Sequence, residues 1–347
     1  FTWDDENMKK ILVLIISVLL TWLPVATGCS FFNNSSLTAK PTPAFTTPAT
    51  VVLPSSSVTV TSATTSVPTP EAVVQYLLDL INQDRADYNL PPVAFGTNDA
   101  ARQHAADMLA NYYLSHWDTG GLKPYMRYTL SGGVNYEREN SAYAGWYDRS
   151  ENPDRYRPLD VLAEIQQLQY KMMYDDAASD WGHRDTILYK WNKKVSLGIA
   201  YDGHRLALVE QFEGDYVEFS VLPQISNGIL SLSGRVALGN IDSMVIYFDP
   251  LPPPQSQADL VAGPRSYGLG DQAGSIISPP PPGYFYPSLP LHTVQASKWE
   301  TDRQGNFSIS ADVSSIIGQT KGVYTVVIWV DSGGESLNLT NYSIFVR

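Results

Sequence analysis

One cysteine, Cys29, stands among 347 residues, so the chain can form no intramolecular disulfide and no Cys-based metal site. Cations are also scarce: 23 Lys and Arg face 35 Asp and Glu, a formal net charge of -12. That balance argues against nucleic acid as a partner, because phosphates need clustered Lys and Arg. Beyond that, the acidity reads as a solvated face. No Gly-x-Ser-x-Gly nucleophile signature occurs, and Ser115 adjoins His116 in sequence, the wrong geometry for a nucleophile and its base unless the loop folds back. No internal repeat is evident. What the chain has is a 44% hydrophobic composition and a length sufficient for two domains plus unstructured parts.

The apolar run Ile11 to Leu20, broken only by Ser17, follows Lys9 and Lys10. It is shorter than the roughly 20 residues of a bilayer span and suits the core of an export signal. Small residues then precede the lone cysteine in Ala26-Thr27-Gly28-Cys29. This resembles the lipobox of bacterial lipoproteins, which implies cleavage before Cys29, acylation of its thiol, and a lipid-anchored, extracytoplasmic place on the bacterial cell surface. The other reading is an uncleaved membrane anchor with a buried thiol. Asp4, Asp5 and Glu6 oppose the charge preference of such a signal, which points to Met8 as the start of translation. Residues 1–29 are thus expected to be a signal peptide. Residues 30–69, rich in Ser, Thr and Pro, are expected to be a disordered stalk.

Thr69-Pro70-Glu71 is a helix start, and Val74, Leu77, Leu78 and Ile81 continue at helical spacing. A second helix carries Ala101, Ala105, Met108, Leu109 and Tyr112, and a third runs from near Pro158 to Tyr174. Val195 to Tyr201 alternates, Asp202-Gly203 signals a hairpin, and Leu206 to Phe212 returns. Helices followed by a hairpin predict an α+β domain over residues 70–222. Composition shifts near 222–228, and an irregular, Pro-rich stretch runs from Pro250 to Pro290. Residues 223–347 otherwise read as short strands, among them Met244 to Phe248 and Val323 to Val330, with a turn at Asp302-Arg303-Gln304-Gly305. They predict an all-β, Ig-like sandwich serving as a spacer or a binding module.

Several segments resemble one family in order and spacing. They are Ile81-Asn82-Gln83-Asp84-Arg85 with Leu90-Pro91-Pro92-Val93, Ala105-Ala106-Asp107-Met108, and Ser115-His116-Trp117. Further on come Arg138-Glu139-Asn140, Trp181-Gly182-His183-Arg184 through Leu188, and Leu197-Gly198-Ile199-Ala200 with Leu208 to Phe212. Together they resemble the CAP (SCP-like) superfamily over about residues 70–220, which implies an α-β-α sandwich with an open cleft. The resemblance implies that His116, Glu139 and His183 converge on a divalent cation, zinc by ligand type, with a position open for water. Glu139 is then the candidate catalytic base. Two departures stand out. Arg138 replaces the glycine usual before the Glu, and Gln166 and Gln167 occupy the place of a second Glu, with Glu164 as a substitute. The other reading makes the histidines structural, with Glu139 paired to Arg138 or Arg184.

His104 reads as a packing histidine, His204 as exposed, and His292 as outside the domain. Arg184 reads as a surface ion-pair residue, or else a binder of a ligand's carboxylate or phosphate. Tyr143, Trp146 and Tyr147 read as packing or as a groove for sugar or lipid. The favoured function is a non-enzymatic, membrane-anchored protein that binds a small ligand, lipid or cell-wall component in its cleft, with or without metal. The alternatives are a metal-assisted hydrolase of peptide or wall material, and an adhesive or structural surface protein acting through the sandwich on glycan or peptide.

Overall fold

The computed structural model describes residues 69–145, 152, 157–318 and 320–347. Cys29, the export signal, nearly all of the stalk, Trp146 and Tyr147 lie outside the described residues. No helix among those described is long and apolar enough to cross a membrane.

The first helix, α1 (Pro70–Asp87), starts as its sequence demands: Thr69 Oγ1 accepts the Ala72 amide at 3.3 Å and Pro70 occupies the first turn. A short strand β1 (Ala94–Phe95) precedes α2 (Ala100–Asn111), and α3 (Pro124–Leu130) leads into β2 (Glu137–Ala144). Then come α4 (Val161–Tyr174), capped by Asp160, and α5 (Gly182–Ile187). Strands β3 (Lys194–Tyr201) and β4 (Leu206–Glu213) form the hairpin expected at Asp202-Gly203.

The sheet runs β1-β3-β4-β2, antiparallel except for the β1–β3 pair. Side chains alternate along each strand, so each face gathers its own core. Leu197, Leu208 and Phe212 meet Leu77 and Ile81 of α1 and Ile165 and Met172 of α4. Ala207 and Val209 meet Ala101, Ala105 and Met108 of α2 on the other face. The result is an α-β-α sandwich. Helix α2 lies so close to the sheet that a Cβ on Gly198 would collide with the Ala101 carbonyl, which explains glycine at that strand position.

The chain leaves this sheet at Gly214 and enters a second body of two facing sheets. One has the order β10-β11-β6-β5, from β5 (Val217–Ser226), β6 (Ile229–Val236), β10 (Lys298–Thr301) and β11 (Asn306–Asp312). The other runs β13-β12-β7-β8-β9, with β14 also on β12. It uses β7 (Asn240–Asp249), β8 (Asp271–Ile277), β9 (Thr293–Gln295), β12 (Gly322–Ser332), β13 (Glu335–Asn338) and β14 (Tyr342–Val346). Leu230, Leu232, Phe307 and Ile309 of the first sheet meet Met244, Ile246, Val326 and Ile328 of the second in one apolar core. The composition shift at 222–228 falls within the β5–β6 hairpin, whose turn residues Asn227 and Gly228 both take positive φ. The sandwich sheet therefore already begins at Val217.

The two bodies share side chains. Tyr136, which precedes β2, is buried in the sandwich core, and its amide donates to the Leu339 carbonyl at 2.7 Å. Lys123 and Tyr125 reach Asp249 at 2.7 and 2.6 Å. The stretch between β7 and β8, read from sequence as irregular, lies against the first domain. Its helix α6 (Gln257–Ala262) has a Ser256–Asp259 capping box and buries Leu260 among Ala101, Ala105, Met108 and Tyr113.

Candidate functional site

Strand β2 points Glu137 and Glu139 to the α2 face of the sheet. Helix α2 brings His104 to the same place from its buried stripe, where Ala101, Ala105 and Met108 are its neighbours. After α2 the chain turns at Tyr112, in the left-handed region, and delivers His116. Helix α3 adds Arg127, the one charge in Pro124-Tyr125-Met126-Arg127-Tyr128. All these side chains are buried.

The cluster is closely bonded. His116 Nδ1 donates to Glu139 Oε1 at 3.0 Å, and Arg127 Nη2 donates to Glu139 Oε2 at 2.7 Å. The same Nη2 lies 2.9 Å from His104 Nδ1, while Nη1 donates to the carbonyls of His116 at 2.9 Å and Leu122 at 2.6 Å. Since a guanidinium only donates, His104 Nδ1 must accept, and the ring proton belongs on Nε2. The 3.3 Å approach of His104 Nδ1 to Glu139 Oε2 is then a contact of two acceptors bridged by Arg127. Burial, and next the Arg127 charge, push the His104 pKa down and keep the ring neutral. Burial works against the Glu139 charge, but Arg127, and after it the hydrogen bond from His116, outweigh it and hold that carboxyl well below its usual range.

Tyr267, from the stretch after α6, covers the cluster. Its hydroxyl accepts the Glu139 amide at 2.8 Å, and its ring lies 4.7 Å from that of His116. Glu137 sits beside it, pushed up to about 8 first by burial and then by the Glu139 charge, so it is protonated at neutral pH. On the opposite face Glu210 is likewise pushed up to about 8 by burial, with Asn140 Nδ2 donating to it at 3.1 Å.

His183 stands apart from His116 and Glu139. Its Nδ1 meets Asp176 Oδ1 at 2.6 Å, and Asp176 Oδ2 also accepts the His183 amide at 2.9 Å. The reason is strand alternation: α5 is fastened through the His183 carbonyl to Asn140, whose side chain faces away from that of Glu139. Arg184 donates to the Tyr88 hydroxyl at 2.7 Å and, among the described residues, does not form the surface ion pair expected of it. Arg138 stacks 3.9 Å over the Tyr189 ring, so the cation on Glu139 is Arg127 and not Arg138 or Arg184. Gln166 and Gln167 face solvent. Tyr143 packs beside the α2 core.

A divalent ion does not fit on Glu139. Both its oxygens are held, one by His116 and one by Arg127, and the guanidinium already in place repels a second cation. Among the described residues, no group of three or more His, Cys, Asp or Glu is placed to hold a metal.

Beside the cluster a cavity of about 460 Å³ opens between α2, the loop after it and α3. His104 and Arg127 form part of its wall, with Asp107, Asp118, Gln103 and Leu130 around it. Sequence reading assigned His104 to packing and passed over Arg127. The signals were a lone polar residue on an apolar helical stripe and a lone charge in an apolar run.

Residues 78–212 match the family model described as CAP, the cysteine-rich secretory protein family. Among solved structures, the CAP domain of Enterococcal PrgA is similar at 14% identity over 42% of this chain, with a TM-score of 0.29. That match spans 63% of the PrgA chain, under two thirds of it. Comparison with curated proteins gives no match.

Proposed function

We propose a non-catalytic binding role for this chain, which belongs to the CAP superfamily through its residues 78–212. In this reading the ligand is a small polar group of cell-wall material, and it enters the cavity between α2 and α3. The observation that carries the reading is the commitment of Glu139. Both its oxygens are held by His116 and Arg127, so neither is free to act as a base on water. What remains is a polar wall with an open cavity beside it, of the size typical of small-molecule sites, roughly 300–1,000 Å³. The proposal includes display outside the membrane on an acylated Cys29, supported by the sequence alone, and it needs no divalent ion. The sandwich, Ig-like in its two-layer build, serves this role by bracing the first domain through Leu260 and Tyr267.

The test is cosedimentation of the full chain with purified wall sacculi. Retention is expected, unchanged by chelator, and weakened at least about tenfold by Gln103→Trp, which fills the cavity mouth from an exposed helix position. Absence of retention, or release of soluble wall fragments by the chain, would overturn the reading.

A further inference from the structure

The cavity wall is asymmetric in its hydrogen-bonding chemistry. On one side are donors. With Nδ1 accepting from Arg127, His104 Nε2 carries a hydrogen, and among the described residues that nitrogen has no partner. Arg127 Nε is a second N–H without one. Both residues are more than nine-tenths buried. Buried polar groups are rarely left unpaired, so two such donors at one wall point to an acceptor oxygen supplied from outside the chain.

On the other side is an acceptor. Of the carboxylates around the cavity, Asp99 is bonded to Arg102 at 3.1 Å. Asp107 is saturated by the Tyr113 hydroxyl at 2.5 Å, by the Thr119 amide and hydroxyl, both at 2.9 Å, and by Asn111 at 2.8 Å. Asp118 differs: its Oδ1 accepts the Leu122 amide at 2.8 Å, and no described residue bonds its Oδ2. Its carboxyl is pushed up by burial, the largest influence, against the pull of Arg127. A neutral ligand group with one acceptor and one donor satisfies both sides, whereas a carboxylate or phosphate would be repelled by Asp118 and Asp107.

We propose that the cavity binds an acetamido group, a secondary amide whose carbonyl oxygen turns to the His104–Arg127 wall and whose N–H is accepted by Asp118 Oδ2. This rests on the binding role proposed above and names the chemistry of the bound group. The two unpaired nitrogens lie beneath the wall, shielded from water, so the carbonyl reaches them with a rotamer shift of the kind common on binding. Amino sugars and acylated peptides both carry this group, and the test separates them.

The full chain is examined by saturation-transfer NMR with N-acetylglucosamine and, separately, with an N-acetylated amino-acid amide. Glucosamine and glucose serve as controls lacking the acetyl group. The acetyl methyl is expected to be the most strongly saturated group of whichever compound binds. Asp118→Asn keeps an oxygen for the Leu122 amide but turns the second acceptor into a donor, and is expected to weaken binding about tenfold or more. Binding of the sugar alone, of the peptide alone, or of both supports the proposal and assigns the source. No saturation with either compound, glucosamine bound as well as its acetylated form, or undiminished binding in Asp118→Asn with an unchanged melting temperature would overturn it. If sacculi are still retained in that event, the binding role stands and the acetamido chemistry falls.

Discussion

Arg127→Met is expected to destabilise the chain by about 3–5 kcal/mol at pH 7, the cost of leaving a buried partner charge uncompensated. Methionine keeps the volume and apolar stem of arginine, so the loss is electrical and not a cavity. The substitution strips Glu139 of its guanidinium, His104 of its donor, and the carbonyls of His116 and Leu122 of theirs. Adding Glu139→Gln should restore much of the loss, because no buried charge then remains. The pH dependence has a definite sign. The depressed folded-state pKa of Glu139 contributes stability that is present above the ordinary carboxylate range and disappears as pH falls through the folded value. Neutral, buried His104 acts in the same direction, because unfolding lets it take up a proton below its ordinary pKa of 6.5. In Arg127→Met the Glu139 contribution reverses, since burial then outweighs the remaining hydrogen bond from His116, and the variant should lose less stability than the parent on acidification. Urea unfolding at pH 7 and at pH 4 measures both effects. A loss under about 1 kcal/mol at pH 7, in the range of an exposed ion pair, would contradict this description of the cluster.

The second large effect concerns the two bodies. A fragment of residues 69–222 is expected to lose cooperative unfolding and to bind hydrophobic dyes. It lacks Leu260, which fills the α2 core, and Tyr267, which covers His116 and Glu139. It also leaves Tyr136, Tyr216 and Val217 without the sandwich core that buries them. Leu260→Ala in the full chain should alone cost about 2–5 kcal/mol. Near-ultraviolet circular dichroism and a thermal scan decide the matter. A fragment with a sharp transition at the melting temperature of the full chain would show that the second body is a spacer.

The first domain was legible because its signals are local. The Thr69 cap, the stripes of α1 and α2 and the Asp202-Gly203 turn each act within a few residues, and each appears where the sequence places it, except that Tyr112 ends α2 in the left-handed region instead of continuing its stripe. Part of the candidate site was legible too, since His116 and Glu139 do meet. His183 was misplaced for a definite reason: spacing along the chain does not say to which face of β2 an element is tied, and Asn140, not Glu139, ties α5. His104 and Arg127 were hidden by their settings, one reading as helix packing and the other as a charge in a short apolar segment. The 250–270 stretch was opaque because its partners, Tyr112, Thr119 and the α2 core, lie far away in sequence. Its prolines signal irregular backbone but not what that backbone covers.

The most direct measurement is a zinc titration of the full chain by calorimetry at pH 7, beside a His116→Ala variant of comparable melting temperature. A cluster already closed by a guanidinium predicts no single-site binding in either protein. Stoichiometric binding in the parent that His116→Ala removes would contradict it, and would mean that Arg127 yields its place on Glu139 to a metal ion.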